Sequence, residues 1–288
     1  MNNTPKLQII VAGDSPICRS LVTFLKSKSF SVASVESDIT SLKDNRADLI
    51  LIFTGDNLQE KVHLISSLKQ QLKNGGLMCI NLDSGNLLEL QKQTQTPLLG
   101  LNLNYPAMKS LFMEIISTKE NSPDQIEFLK SFGVDILEKD PYLVKNGISA
   151  RAHMLAAMTR EALFLVDGGY ASIESIDRAC RNDAGYYLPF TGNFLYMDLM
   201  GTMAYALVMK DINPDLSTSA NLPDWFIEKV ESGKIGMQAG EGLYSYKKGD
   251  LEKWEELLVD FSIEINAMIN RNIQHYQKRL YHGQKVDF

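Results

Sequence analysis

The chain has 288 residues, 44% of them hydrophobic, enough to bury one large core or two modest ones. A formal charge of −6, a pI near 5.3 and no Lys/Arg cluster longer than a pair argue against a nucleic-acid or anionic-membrane surface and favour soluble partners. No run of about 18 apolar residues occurs, and the opening "MNNTPKLQII" lacks the apolar core of a secretory signal, so no membrane span and a cytoplasmic location are expected.

The first half alternates strand and helix patterns. "LQIIVA" (7–12) reads as a strand, Ile17, Leu21, Val22 and Leu25 as a helix face, and "FSVASV" (30–35) as a second strand. "ADLILIF" (47–53), the amphipathic "LQEKVHLISSLKQQL" (58–72) and "GLMCINL" (76–82) repeat the pattern. "LLGLNL" (98–103), "LFMEII" (111–116) and "VDILEKD" (134–140) read as further strands, with a helix over 123–132. Alternation of this kind predicts a parallel, doubly wound, Rossmann-like sheet.

Near Val144 the texture changes. From Ile148 onward apolar residues recur at three- and four-residue spacing (Met154, Leu155, Met158, Ala162, Leu165, Val166), which predicts an all-helical second domain. The expected division is 1–145 for the α/β domain and 146–288 for the helical one. A last stripe of Leu251, Trp254, Leu257, Leu258, Phe261, Ile265 and Met268 marks core or a subunit contact. Cys18, Cys79 and Cys180, odd in number and far apart, argue against disulfides or a thiolate zinc site and read as buried small apolar residues.

A dinucleotide-binding unit needs a strand, a G-x-G-x-x-G turn, a helix, a second strand and an acid about 20 residues on. Here "VAGDSPICRSL" (11–21) keeps Gly13 but places Ser15 and Cys18 at the second and third glycine positions, with Ile17 between them and the helix running from about Pro16. A Ser15 side chain intrudes where backbone should approach pyrophosphate, and the Cys18 thiol loosens helix–strand packing. Asp14 adds repulsion: a carboxylate about 4 Å from a phosphate is unfavourable by about 4 kcal/mol near a surface, before salt and rearrangement. Ser15 and Pro16 still make a good helix start, and Arg19 can offset Asp14. Glu36, ending the second strand, suits the ribose hydroxyls of NAD. Weakened NAD binding and a sheet that has kept only its shape both stay open.

The second half carries "EALFLVDGGYASIESIDRACRNDAG" (161–185), "TGNFLYMDLMG" (191–201) and "VESGKIGMQAGEGLYSY" (230–246). These resemble the E-A-x-x-L…G-x-A-(S/T)-x-E-x-I-D, G-P-F-x-x-x-D-x-x-G and G-x-x-G-x-x-x-G-x-G-(F/Y)-Y segments of the 3-hydroxyacyl-CoA dehydrogenase family. Upstream, "ADLILIFTGDNLQEK" and "INLDS" are similar to its A-D-x-(V/I)-x-E-A-x-x-E-x-L-x-x-K and S-N-T-S-S stretches. In the last of the second-half segments Gly236, Gly240 and Gly242 are spaced for a chain turning tightly between helices, with Tyr244 and Tyr246 packing underneath. The resemblance implies a Rossmann domain followed by a helical one that forms a homodimer contact, and NAD-linked oxidation of a secondary alcohol.

It also implies site residues. The family's G-x-H-F-F-N-P reads "GLNLNYP" (100–106), so its catalytic histidine falls on Asn102, while the glutamate twelve residues later remains as Glu114. An asparagine amide hydrogen-bonds but carries no proton near pH 7, and the missing acid–base help is worth about 10²- to 10⁴-fold. The serine beside the substrate oxygen falls on Asp83, with Ser84 next to it, and the asparagine early in the first long helix falls on Ala152, after "KNGIS" (145–149). Asp56, Lys61 and Asn81 keep the family's polar cofactor-side positions.

Other proton carriers are Tyr105 and Lys109, close to Asn102 in sequence, and His153, which helical geometry turns about 100° away from Ala152. Glu114, unpaired in an apolar cleft, would also serve. His63, His275 and His282 lack metal-ligand spacing, so no metal is expected. Two readings compete beside the ordinary dehydrogenase: an altered enzyme acting on an acyl thioester or a small hydroxy or oxo acid, and a catalytically silent binding module.

Overall fold

The computed structural model describes residues 7–36 and 46–279. His282 lies outside the described residues, as does the side chain of His275. The chain divides into two compact units, Met1–His153 and Met154–Phe288.

The first unit is a seven-stranded sheet in the order β2-β1-β3-β4-β5-β6-β7. Its strands are β1 (Gln8–Ala12), β2 (Ser31–Val35), β3 (Ala47–Ile52), β4 (Leu72–Ile80), β5 (Leu98–Leu103), β6 (Phe112–Ile116) and β7 (Asp140–Val144). Strand side chains alternate between faces, and here both faces are apolar. Ile9, Val11, Leu49 and Leu51 pack with Leu21 and Leu25 of α1 (Pro16–Ser27), whereas Ile10, Ile50 and Ile52 pack with Ile65 and Leu68 of α2 (Leu58–Leu68). Truncating one such fully buried side chain, Leu51→Ala for example, costs about 2–5 kcal/mol.

Helix starts follow local chemistry. The Ser15 hydroxyl accepts from Cys18 N at 3.3 Å ahead of Pro16, and the Asn57 side chain accepts from Gln59 N and Glu60 N. Ser122 and Gln125 form a reciprocal capping box at α4 (Pro123–Ser131). A helix not anticipated above, α3 (Leu87–Thr94), begins behind Asn86 in the same way, with Glu89 in its first turn.

Four expectations need correction. The first five strands are parallel, but β5 pairs with β6 antiparallel, so the sheet is mostly parallel. "VDILEKD" is no strand: a π-helical turn spans Phe132–Ile136 and the strand follows it. Gly133 lets this turn close on the sheet, where an added Cβ would sit 2.5 Å from Met113 Sδ. The helix expected over 58–72 stops at Leu68, and Leu72 already belongs to β4. Cys180 is exposed, unlike Cys18 and Cys79.

The second unit is helical. It comprises most of α5 (Ala150–Asp167), then α6 (Ile173–Ala179), α7 (Gly185–Met200), α8 (Thr202–Ile212), α9 (Asp224–Glu231) and α10 (Asp250–Arg279). Gly192, at φ 68°, kinks α7. Two acids of the family-like segments are structural: Glu161 accepts from Ser217 N at 2.8 Å, and Asp177 accepts from the Tyr244 hydroxyl at 2.7 Å. Tyr244 is therefore half-exposed and tied to α6 instead of packing beneath the glycines. No residue of α5 to α9 is buried.

Candidate active site

The carboxyl ends of the parallel strands bring most of the sequence-derived candidates of the first unit to one edge, the place where open α/β sheets bind ligands. Asn102, Glu114 and Tyr142 stand side by side on β5, β6 and β7, because antiparallel pairing matches Asn102 with Glu114 and parallel pairing matches Glu114 with Tyr142. Directly opposed residues share a face. The twelve-residue spacing is thus the register of a hairpin.

Asn102 is buried and its amide is fully used. Oδ1 accepts from Leu82 N at 2.7 Å, and Nδ2 donates to Leu82 O at 3.0 Å and to Glu114 Oε2 at 2.9 Å. Glu114 is wholly buried and holds three more donors: the Ser149 hydroxyl at 2.5 Å, Arg151 N at 2.9 Å and the Tyr142 hydroxyl at 3.1 Å. Ser149 Oγ in turn accepts from Ala152 N at 3.0 Å, capping α5. Burial first, then the Glu114 charge and hydrogen bond, push the Tyr142 phenol well above its ordinary range, so it remains a donor. Tyr142 and Ser149 were not singled out from sequence; only Ser149 carried a local signal, a hydroxyl just before the start of α5.

Asp83 follows β4 and is partly exposed. It accepts from Asn81 Nδ2 at 3.2 Å and pairs with Arg151 Nη1 at 3.0 Å. Ser84 beside it is exposed. Lys61 is buried, its ammonium donating to Asn81 O at 2.9 Å and Asn81 Oδ1 at 3.1 Å. Burial lowers its pKa, opposed by the charges of Asp56 and Asp83. Asn81 also bridges both backbone groups of Thr54, so Lys61 and Asn81 fasten the ends of β3 and β4, while Asp56 stays exposed.

At the loop after β1, Gly13 has φ 123°, and an added Cβ would lie 1.9 Å from Phe53 O. The Cys18 thiol fills the space of the third glycine, 3.5 Å from both Ala12 O and Phe53 O, and burial raises its pKa. Ser15 takes the Cys18 amide, one of those a phosphate at a helix start would use. Arg19 donates to Asp14 O at 2.6 Å; its contact is with the backbone, not the carboxylate expected. Ile17 is partly buried and Glu36 is exposed just past β2. The strand, glycine turn and helix keep the order of a dinucleotide-binding unit, with the Cys18 amide already taken by Ser15.

Tyr105, in the loop after β5, is half-exposed. That loop is fastened by buried Lys139, whose ammonium donates to Ala107 O and Ser110 O. His153 is exposed, with Nδ1 on Ser149 O at 2.7 Å.

A mostly parallel sheet with a glycine turn after its first strand, followed in sequence by a helical region, is a Rossmann-like arrangement with a helical C-terminal part. Residues 150–246 match the model of the 3-hydroxyacyl-CoA dehydrogenase C-terminal domain. Over those residues the chain is similar to the C-terminal domain of the 3-hydroxyacyl-CoA dehydrogenase family.

Among its relatives is 5-formyl-3-hydroxy-2-methylpyridine 4-carboxylate 5-dehydrogenase of Mesorhizobium japonicum. It is 23% identical over 209 residues, 69% of this chain and 66% of that protein, so the match spans just under two thirds of the relative's length. Human mitochondrial hydroxyacyl-coenzyme A dehydrogenase is 26% identical over 225 residues, 76% of this chain and 70% of that protein. A crystal structure of the pyridine-carboxylate dehydrogenase, described as an NAD+-dependent dismutase, has the same fold. The TM-score is 0.79 at 17% identity, covering 92% of this chain and 99% of that one.

Proposed function

We propose that this chain is an NAD-linked oxidoreductase whose cleft takes a small hydroxy or oxo acid, or its thioester, without the family's histidine–glutamate proton relay. The observation that carries this is the Asn102–Glu114 pair. The two side chains keep the hairpin register that a histidine and its acid require, yet they bind Leu82, Ser149, Arg151 and Tyr142. They position the strand ends and the start of α5: Asn102 carries no titratable proton, and the Glu114 carboxylate is engaged by four donors. Tyr105 and Tyr142 are about equally exposed, 40% and 39%, but the Tyr142 hydroxyl is held by Glu114, and Tyr105 is the acid or base we assign. Asp83 and Ser84 lie beside the reacting oxygen.

Gly13, Ser15, Ile17, Cys18 and Glu36 would hold the adenosine half of NAD, and Asp56, Lys61 and Asn81 would frame its nicotinamide side. When bound, NAD supplies or accepts the hydride. The occupied Cys18 amide and the missing glycines support weakened affinity.

Calorimetric titration with NADH, NAD and NADPH, with and without acetoacetyl-CoA, tests the reading. Micromolar binding of NADH supports it; no heat at millimolar ligand overturns it. The saturation of Glu114 by four donors also favours a second reading, a silent ligand-binding module, which would bind NADH yet turn over neither thioesters nor free acids.

The helical unit supports homodimerisation. Among the described residues nothing is buried in α5 to α9, and Phe194, Leu199, Met203 and Leu207 are exposed apolar side chains that a second copy would cover.

A further inference from the structure

We infer that Arg151 binds a free carboxylate on the substrate, so that the cleft prefers an unesterified hydroxy or oxo acid to the corresponding acyl thioester. The inference rests on the oxidoreductase reading above and decides between its two substrate classes.

Arg151 is the basic side chain held at both ends on this edge. Its backbone N–H donates to buried Glu114, which fixes the residue in the first turn of α5. Its guanidinium lies 5.6 Å from the ring centre of Phe112 and uses Nη1 on Asp83 at 3.0 Å. Phe112 is itself set edge-on against Tyr142, whose hydroxyl is on Glu114. The guanidinium plane is therefore placed by a ring and an acid before any ligand arrives, which lowers the ordering cost of binding.

Placement leaves capacity. A guanidinium offers five N–H donors in a planar fork, and among the described residues its one ion pair, with Asp83, engages Nη1. Asp83 is shared: it also accepts from Asn81 and faces the Lys61 ammonium, so it does not neutralise Arg151 alone. The side chain is 30% exposed, which leaves the free edge of the fork open to an anion. A carboxylate matches that fork bidentately, whereas a thioester has one neutral carbonyl oxygen and gains little from it.

The test uses the full-length chain and three probes: acetoacetate, its uncharged methyl ester, and acetoacetyl-CoA. Dissociation constants are measured by calorimetry for the unaltered protein, Arg151→Met and Arg151→Lys, with NADH affinity measured in parallel. The expected result is that acetoacetate binds at least tenfold tighter than its methyl ester and than acetoacetyl-CoA. Arg151→Met should then abolish the preference over the ester, and Arg151→Lys should retain part of it. Equal affinity for acid and ester, tighter binding of acetoacetyl-CoA, no acetoacetate binding at millimolar concentration, or an unchanged preference in folded Arg151→Met would each overturn the inference. Should Arg151→Met fail to fold, the acid-to-ester ratio of the unaltered protein still decides it. Loss of the oxidoreductase reading shows separately, as no binding of NADH or as NADH binding without turnover.

Discussion

The Asn102 amide spans the backbone of Leu82, receiving its N–H at 2.7 Å and donating to its carbonyl at 3.0 Å. An asparagine here ties β5 to the end of β4 as one more rung of the ladder would. An imidazole cannot present a donor and an acceptor side by side in that geometry. Asn102→His is expected to destabilise the protein by roughly 2–4 kcal/mol, through unpaired buried groups at Leu82, and to produce no turnover of acetoacetyl-CoA with NADH. Denaturant unfolding and an NADH-oxidation assay check both parts; turnover at undiminished stability would refute the structural role.

Glu114→Gln replaces one acceptor oxygen of a saturated carboxylate by an NH2 that must face donors. Four hydrogen bonds and the favourable charge at the start of α5 depend on that carboxylate. A loss of about 2–4 kcal/mol is expected, with faster amide exchange at Arg151 and Ala152 than elsewhere in α5. Exchange that rises evenly along the helix would count against the cap.

Part of this edge was legible in the sequence because periodicity and capping are local: β1, β3, β5 and the Ser15 cap follow from residues near one another. Asn102 and Glu114 were marked by the family resemblance, while the antiparallel register that pairs them was not anticipated. What escaped was tertiary. Nothing local says that Ser149 and Tyr142 converge on Glu114, or that Arg151 reaches Asp83 across 68 positions. "VDILEKD" alternates well enough to read as a strand, yet Gly133 against Met113 lets a wide helical turn bury Phe132 and Leu137 instead.

Restoring glycines at the loop should exchange stability for affinity. In Ser15→Gly with Cys18→Gly, the thiol that fills the third position and the hydroxyl that occupies the helix-start amide are both removed. NADH is expected to bind about tenfold tighter, while lost capping and packing cost about 2 kcal/mol. Titration and thermal unfolding of the same preparation check this, and unchanged affinity would show that Asp14, not the lost glycines, limits binding.

Lys139 links the Tyr105 loop to pH. Burial pushes its ammonium pKa down to about 8, from 10.5 for an ordinary lysine. Between those values the unfolded chain holds more protons than the folded one, so stability rises with pH across the window; below about pH 8 the cost of burying the charge is fully present. The stability of the unaltered protein minus that of Lys139→Met is expected to grow by about 2 kcal/mol from pH 8 to 10.5, allowing for partial solvent screening. A flat difference would mean that the carbonyls of Ala107 and Ser110 hold the charged form unaided.

The apolar stripe of α10 tests the dimer. Trp254, Leu257 and Phe261 are 55%, 58% and 57% exposed, and their spacing places them along one side of the helix. Three large side chains left in water would cost about 1.5–3 kcal/mol each relative to burial, which a second copy recovers. The chain is expected to sediment as a dimer at micromolar concentration, with a Tm that rises with protein concentration. Leu257→Glu with Phe261→Glu should shift it to monomer and abolish that rise, since two carboxylates in an apolar contact are not tolerated unpaired. A monomeric unaltered protein with a concentration-independent Tm would place the stripe outside any subunit contact.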